Sequence, residues 1–285
     1  MFGMIPGNMG NSMRSPASLV SHIPIGVSFI GAASMPVAYL TALYALRYLG
    51  HLAQGESILI QSATGGLGMA AIRIAQFLGA EIYATAGNDE KRRLLTDRFN
   101  IPAAHVFSSR EMTTVDDIMQ ATGGAGIDII LSSSAGDMMH ETWRCIAPLG
   151  RFIDVGRTDV LGGGKLGLDV FKRNAVFASF DIGVLYRQKP AMIKRYNFFP
   201  LPVAWQGERW LTTSNRLMKE LDGLLCDGTI GPIEPTTTYD ISQLESAMTS
   251  FSKSLHTGKI VITFDNPKLT LKVCWPHIID FKPHF

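Results

Sequence analysis

The stretch Ser57–Gly79, SILIQSATGGLGMAAIRIAQFLG, constrains the fold more than any other part of the chain. Ile58, Leu59 and Ile60 form a short apolar run of strand character. Thr64-Gly65-Gly66-Leu67-Gly68 lets the backbone turn sharply and come close to a ligand. Ala70 to Leu78 carries a helical pattern, with Ile72, Ala75, Gln76 and Gly79 spaced by about one turn. Strand, glycine turn and helix in that order are what a dinucleotide pyrophosphate needs. The first N–H groups of the helix and its dipole both favour negative charge at the turn. The cluster is not a full G-x-G-x-x-G, and a glycine-rich turn of any α/β protein has the same look, so the following units have to decide.

Those units alternate from Ser57 to Ile182. Glu81–Ala86 reads as a second strand and Asn88–Phe99 as a charged helix. His105–Ser109 reads as a strand, Thr114–Ala121 as a helix, and Ile127–Leu131 as a strand. Met138–Cys145 reads as a helix and Arg151–Val155 as a strand. A short helix over Leu168–Asn174 precedes a last strand, Val176–Ile182. Repeated β-α units predict an α/β fold: a Rossmann-like, doubly wound parallel sheet of about six strands with right-handed crossovers. Ligands on such a sheet sit at the carboxyl ends of the strands, near the switch point after the first. Residues 1–30, rich in Gly, Pro, Ser and Met, read as loops and short strands. Beyond the sheet, Arg216–Leu225 and Ile241–Ser250 read as helices, and Thr236–Tyr239 and Lys259–Phe264 as strands.

Composition narrows the class. With 285 residues, 46% hydrophobic and 18% charged, the chain can bury a core and is not disordered. A net charge of +2 and the lack of a Lys/Arg stripe interleaved with aromatics argue against nucleic acid as a partner. The three cysteines, Cys145, Cys226 and Cys274, are far apart and form no C-x-x-C, so no disulfide framework or structural zinc site is expected. A reducing compartment, the cytoplasm, is the simplest setting. Ser15 to Leu46 carries no formally charged residue and is long enough to mimic a membrane span. Pro16, Pro24, Gly26, Gly31 and Pro36 interrupt it, and Tyr39, Thr41 and Tyr44 sit where lipid would favour aliphatics, so no membrane segment is expected.

Several words of the sequence together resemble the medium-chain dehydrogenase/reductase superfamily. More narrowly, they resemble the enoyl reductase domain of fungal highly reducing polyketide synthases. They are Ala33-Ser34-Met35-Pro36, Gly55-Glu56-Ser57, the Ala63–Gly68 turn, Ile101-Pro102 with His105–Arg110, Thr122–Asp128 and Cys145–Phe152. The resemblance runs from about Met4 to Phe264. It implies a zinc-independent enzyme that transfers hydride from NADPH to the β-carbon of an enoyl thioester held on an acyl carrier protein. Other polyketide synthase domains would be its partners, and a homodimer through the edge of the cofactor sheet would fit.

Site residues follow from the same comparison. The cofactor turn is Thr64, Gly65, Gly66, Leu67 and Gly68, with Gly156 a further cofactor-binding residue and Ser132 standing where the family usually has Asn beside the nicotinamide. The second strand ends Thr85-Ala86-Gly87-Asn88, with no acid to bond a ribose 2′-OH. Lys91 follows one turn later and matches the family lysine that meets a 2′-phosphate, with Arg110 as a second cation. The family has two groups beside the nicotinamide proposed as proton donors, an aspartate and a lysine. Asp181, in Ala178-Ser179-Phe180-Asp181, matches the aspartate, and inside an apolar strand an aspartate is costly unless paired or protonated. Arg157 stands in place of the lysine. It keeps the positive charge that polarises a carbonyl but is a poor proton donor.

The resemblance also divides the chain. Residues 1–30 correspond to the remnant of a GroES-like β-barrel substrate domain whose earlier part lies ahead of Met1. Residues 31–185 form the NADPH-binding Rossmann domain, and residues 186–264 form helices and a strand returning to the substrate side. Within the last, residues 196–214, YNFFPLPVAWQGERWLTTS, have no family counterpart. They read either as a retained in-frame intron or as a family-specific loop. Residues 265–285 read as a linker-like tail. Two other functions stay open: a freestanding quinone-oxidoreductase-like NADPH enzyme, and a non-catalytic remnant of a synthase.

Overall fold

The computed structural model describes residues 1–4, 10, 12, 13, 15, 19–111, 113–189, 217–253 and 256–265. Residues 196–214 and most of the expected tail lie outside that set. In chain order the elements are β1 (Phe2–Gly3), β2 (Val20–Ser21), α1 (Phe29–Ser34), α2 (Pro36–Leu43) with a π-helical turn at Tyr44–Leu49, β3 (Ser57–Ile60), α3 (Gly66–Phe77) and β4 (Glu81–Ala86). Then come α4 (Asp89–Phe99), β5 (Val106–Ser108), α5 (Thr114–Ala121), β6 (Ile127–Ser132), α6 (Gly136–Trp143), β7 (Ile146–Asp154), α7 (Thr158–Leu161), β8 (Val176–Ser179) and α8 (Ile182–Gln188). The described chain closes with α9 (Leu217–Cys226), β9 (Thr236–Asp240), α10 (Leu244–Ser252) and β10 (Lys259–Thr263).

Six strands form one sheet in the order β5-β4-β3-β6-β7-β8, and every pair is parallel. This is the doubly wound arrangement whose order reverses beside the first strand, β3, and opens a crevice there. Successive residues of a strand face opposite ways, so Ile58 and Ile60 join one core and Leu59 the other. The first core takes in α2, α3 and α9 through Leu40, Leu43, Ile72 and Leu221. The second centres on Trp143, whose ring meets Phe152, Phe171 and Phe177 edge-on at 5.2–5.8 Å.

The uncharged stretch near the start finds its explanation here. Phe29–Leu49 is a helix long and apolar enough by composition to cross a membrane, but most of it is buried inside the protein. Tyr39, Leu40, Leu43 and Leu46 are at most 2% exposed, packed against the first core. The Tyr39 hydroxyl donates to the Gly231 carbonyl at 2.8 Å, which satisfies its one polar group.

Three elements depart from expectation. The helix after the first strand begins at Gly66, not Ala70. The sharp bend is taken by Ser62, at φ 52°, while Gly66 and Gly68 are already helical. What demands glycine is close approach: a Cβ on Gly68 would lie 2.5 Å from the Ala63 backbone. β7 runs from Ile146, well ahead of the expected Arg151. β8 stops at Ser179, so Asp181 is no strand residue but the N-cap of α8.

Outside the main sheet, β1 and β2 pair antiparallel and β9 and β10 pair parallel. The residue ahead of β10 reaches back to the glycine turn. Gly258 N donates to the Thr64 carbonyl at 2.7 Å, and Gly65 and Gly258 form a parallel bridge.

Candidate active site

A cleft of about 450 Å³ runs along the carboxyl ends of β3, β6, β7 and β8. Its floor at one end is the glycine turn. Gly65, in extended conformation, caps α3, so the free N–H groups of Gly66, Leu67 and Gly68 form the wall. The turn is tied to β4, because Ser62 N donates to Thr85 Oγ1 at 3.1 Å and Ala63 N to the Thr85 carbonyl at 3.0 Å. Thr64 is buried and acts through its carbonyl on Gly258, not through a hydroxyl in the cleft. A second, hydroxyl-rich cavity of about 210 Å³ adjoins the first and shares Gln61 and Ser62 with it. Thr85, Ser108, Ser109 and Ser134 also line it.

Lys91 and Arg110 converge at the end of β4. The space where a Gly87 Cβ would sit is 3.4 Å from Arg110 Nε and from Ser109 Oγ. The α4 N-terminus is fixed by Asn88, whose side chain accepts from Lys91 N at 2.9 Å. Burial, then the Arg110 charge, holds the Lys91 ammonium below the ordinary lysine range. Both cations lie outside the lining of the larger cleft.

At the other end stand Arg157 and Asp181. Arg157 Nη1 donates to Asp181 Oδ2 at 3.1 Å. The other carboxylate oxygen of Asp181 accepts from Gly183 N at 2.6 Å and Val184 N at 3.3 Å. Asp181 is thus paired and capping, with a side chain 40% exposed, not an isolated acid inside a strand. Arg157 has φ 60°, a left-handed conformation that residues with a Cβ rarely adopt. Its Nε is buried and finds no hydrogen-bond partner among the described residues. Gly156 is packed on the Ser133 carbonyl, 3.1 Å from where its Cβ would be. Ser132 is fully buried and its hydroxyl lies 3.2 Å from Ser134 Oγ, so the cleft wall at this point is Ser133 and not Ser132.

Three further residues of the site escape a sequence reading. Asp154, 3% exposed at the end of β7, accepts from Gly156 N at 3.1 Å, Arg157 N at 3.1 and 3.2 Å and Ser179 Oγ at 3.1 Å. Burial pushes its carboxyl up, against the pull of those hydrogen bonds. An acid closing the apolar run Phe152-Ile153 was the available signal. Lys259 and His256 line the cleft beside the glycine turn, and Lys259 Cδ is 3.0 Å from the position of a Gly66 Cβ. Burial holds the Lys259 ammonium low. The His256 imidazole is held low by burial first, and also by the charges of Lys91 and Lys259. The cations Lys91 of α4 and Lys259 of β10 therefore both act on His256, and this positive region suits an anionic ligand. Nothing local in the sequence marks Lys259, nearly two hundred residues from the turn it faces.

A doubly wound parallel sheet with a glycine turn, cations around it and a polar pair at the ends of β7 and β8 is the arrangement of a nucleotide-binding domain of the kind found in the medium-chain dehydrogenase/reductase class. Residues 66–191 match the family model described as zinc-binding dehydrogenase. The nucleotide-binding subdomain of the enoylreductase domain of PpsC from Mycobacterium tuberculosis is 34% identical. The match covers 72% of this chain and 98% of that one, with a TM-score of 0.57. CurK enoyl reductase is 27% identical, covering 87% of this chain and 67% of that one, with a TM-score of 0.72. Among curated proteins, prosolanapyrone synthase of Alternaria solani is 42% identical over 96% of this chain. The highly reducing polyketide synthase xilA of Penicillium crustosum is 40% identical over the same share. The chain belongs to the family of polyketide synthase enoyl reductase domains. It spans about a tenth of the length of those curated relatives.

The donor set bears on cofactors. Among the described residues there is no group of three or more His, Cys, Asp or Glu able to hold a metal ion, so these residues do not fit the zinc that the family description carries. They do fit a dinucleotide. The N-terminus of α3 opens on the cleft at the glycine turn without a side-chain cap, and Gly68 lets that helix pack on the Ala63 backbone, which suits a diphosphate at the turn.

Proposed function

We propose that this chain reduces the α,β double bond of a carrier-protein-bound enoyl thioester, using NADPH, as one domain of a polyketide synthase. The observation that carries the reading is one cleft holding both a dinucleotide phosphate turn and, at its far end, an arginine with an unmet N–H. NADPH is favoured over NADH because β4 ends without an acid while Lys91 and Arg110 converge there. The hydroxyl-lined second cavity suits the adenosine half.

When bound, the cofactor supplies hydride to the β-carbon of the substrate. The protein's own residues orient and stabilise. The α3 N-terminus and Lys259 hold the diphosphate. Arg157 places its guanidinium on the thioester oxygen, which gains negative charge as hydride adds. Arginine does not give up its proton, and the Asp181 carboxylate is committed to Arg157 and to the α8 N–H groups. In this reading the α-carbon takes its proton from water, and Asp181 anchors Arg157. The cytoplasm is the setting, and a homodimer through the edge strand β8, which exposes Val176, is the expected assembly.

The test is purified protein with NADPH and a crotonyl thioester. NADPH oxidation that depends on the thioester supports the reading. Turnover of quinones alone assigns the chain to the quinone-oxidoreductase alternative. Cofactor binding without turnover by the folded protein assigns it to a non-catalytic role.

A further inference from the structure

Arg157 holds an uncommon backbone conformation, and something must keep it there. The candidate is Asp154. Its carboxylate takes both N–H groups of the turn that follows β7, those of Gly156 and Arg157, and also the hydroxyl of Ser179 from the neighbouring β8. The guanidinium is therefore fixed from two sides. Asp154 sets the backbone from which the side chain springs, and Asp181 holds its Nη1. The Nε–H is left over, buried and unmet among the described residues. Burying a carboxylate is unfavourable, and its partners here are the Arg157 turn and one hydroxyl. We propose that Asp154 is a positioning residue, a carboxylate latch that acts on the reaction only through Arg157. This rests on the role assigned to Arg157 above.

Asparagine at this site keeps the volume but not the chemistry. Its amide nitrogen can donate to the Ser179 hydroxyl but meets the Arg157 N–H as a second donor, so the latch loses one acceptor and its charge. Asp154→Asn should lower kcat about tenfold or more while changing the NADPH dissociation constant less than twofold. On an Arg157→Ala background the same substitution should cost less than twofold in kcat, because the cation it positions has gone. Equal losses on both backgrounds would show that Asp154 serves the fold and overturn the proposal.

A readout free of turnover separates this from the activity itself. In ¹⁵N spectra of the full chain, assigned with Arg157→Lys, the Arg157 Nε–H should give a slowly exchanging signal. Asp154→Asn should broaden it or bring its exchange to the solvent rate, and an unchanged signal would overturn the latch. Should that variant not fold, the wild-type amides of Gly156 and Arg157 carry the test. Exchange at least about tenfold slower than the intrinsic rate supports the latch, and unprotected exchange overturns it. If wild type shows the protected signals but reduces no thioester, the proposed activity fails while the latch stands.

Discussion

At the scale of single residues, the proposed site divides into groups that would approach a ligand and groups that would hold them. Lys91 is proposed for the first. Lys91→Ala should raise the NADPH dissociation constant about tenfold and leave that of NADH within twofold, as read by fluorescence titration. An unchanged ratio of the two would remove Lys91 from the 2′-phosphate. Asp181 belongs to the second. Asp181→Asn should lower kcat far more than NADPH affinity, and equal losses would assign it to capping α8 alone. Gly68 is a matter of space. Gly68→Ala places a methyl carbon 2.5 Å from the Ala63 backbone and should destabilise the fold by about 1–3 kcal/mol in urea unfolding. Stability equal to wild type would mean that α3 can slide away from β3. The glycine turn was legible in the sequence, but its reason was not. Curvature is supplied by Ser62, and the glycines serve contact, Gly68 with the Ala63 backbone and Gly66 with Lys259 of β10, packing that no glycine spacing by itself shows.

At the scale of elements, several of the sequence words that carried the family resemblance prove to touch one another. Ser57 N and Oγ donate to Asp128 Oδ2 at 2.8 and 2.7 Å, joining the starts of β3 and β6. Arg151 of β7 grips Glu56 with two hydrogen bonds of 2.8 Å and donates through Nε to the Gly50 carbonyl at 2.7 Å. These contacts lie toward the amino ends of the strands, away from the cleft, and they set the register of the sheet. The Arg151 hydrogen bonds hold the Glu56 carboxyl below the usual carboxylate range. A lowered folded value makes its stabilisation complete above the ordinary Glu pKa, about 4.3, and lost as pH falls through the folded value. Glu56→Gln should therefore cost about 1 kcal/mol at neutral pH and shrink that difference in acid, measured by urea unfolding across pH. A difference that persists undiminished in acid would mean that the pair contributes through shape and not charge. Element identity was largely legible, since periodicity reports which face is buried. Ends were less so: β8 stops two residues short of Asp181 because the Asp181 side chain caps a helix instead of pairing in the ladder.

At the scale of the whole molecule, the cleft is finished by a segment remote in sequence. β10 arrives beside β9, and Gly258 at its start bonds Thr64 and brings Lys259 over the turn. Gly258 has φ 72°, and a Cβ there would lie 1.9 Å from the Pro235 carbonyl oxygen. Gly258→Ala should thus unseat this strap and weaken NADPH binding about tenfold, with little change in far-UV circular dichroism, because the six-stranded sheet does not depend on it. Affinity equal to wild type would show that the strap contributes nothing to the phosphate site. The early apolar stretch likewise has meaning only at this scale, where α2 lies against α3 and α9 as a core helix.

By itself the sequence determined the fold class and the order of β-α units, because local hydrophobic period and turn chemistry are written residue by residue, and its motif words carried the family resemblance. Tertiary structure alone decided that Ser133 and not Ser132 walls the cleft, that Asp181 is a paired cap, that Asp154 fastens the Arg157 turn and that Lys259 stands over the glycines. The pairing of Asp181 with Arg157 and the place of Lys259 are distances between atoms of different elements, and such distances are set by how the elements pack, not by any pattern along one of them.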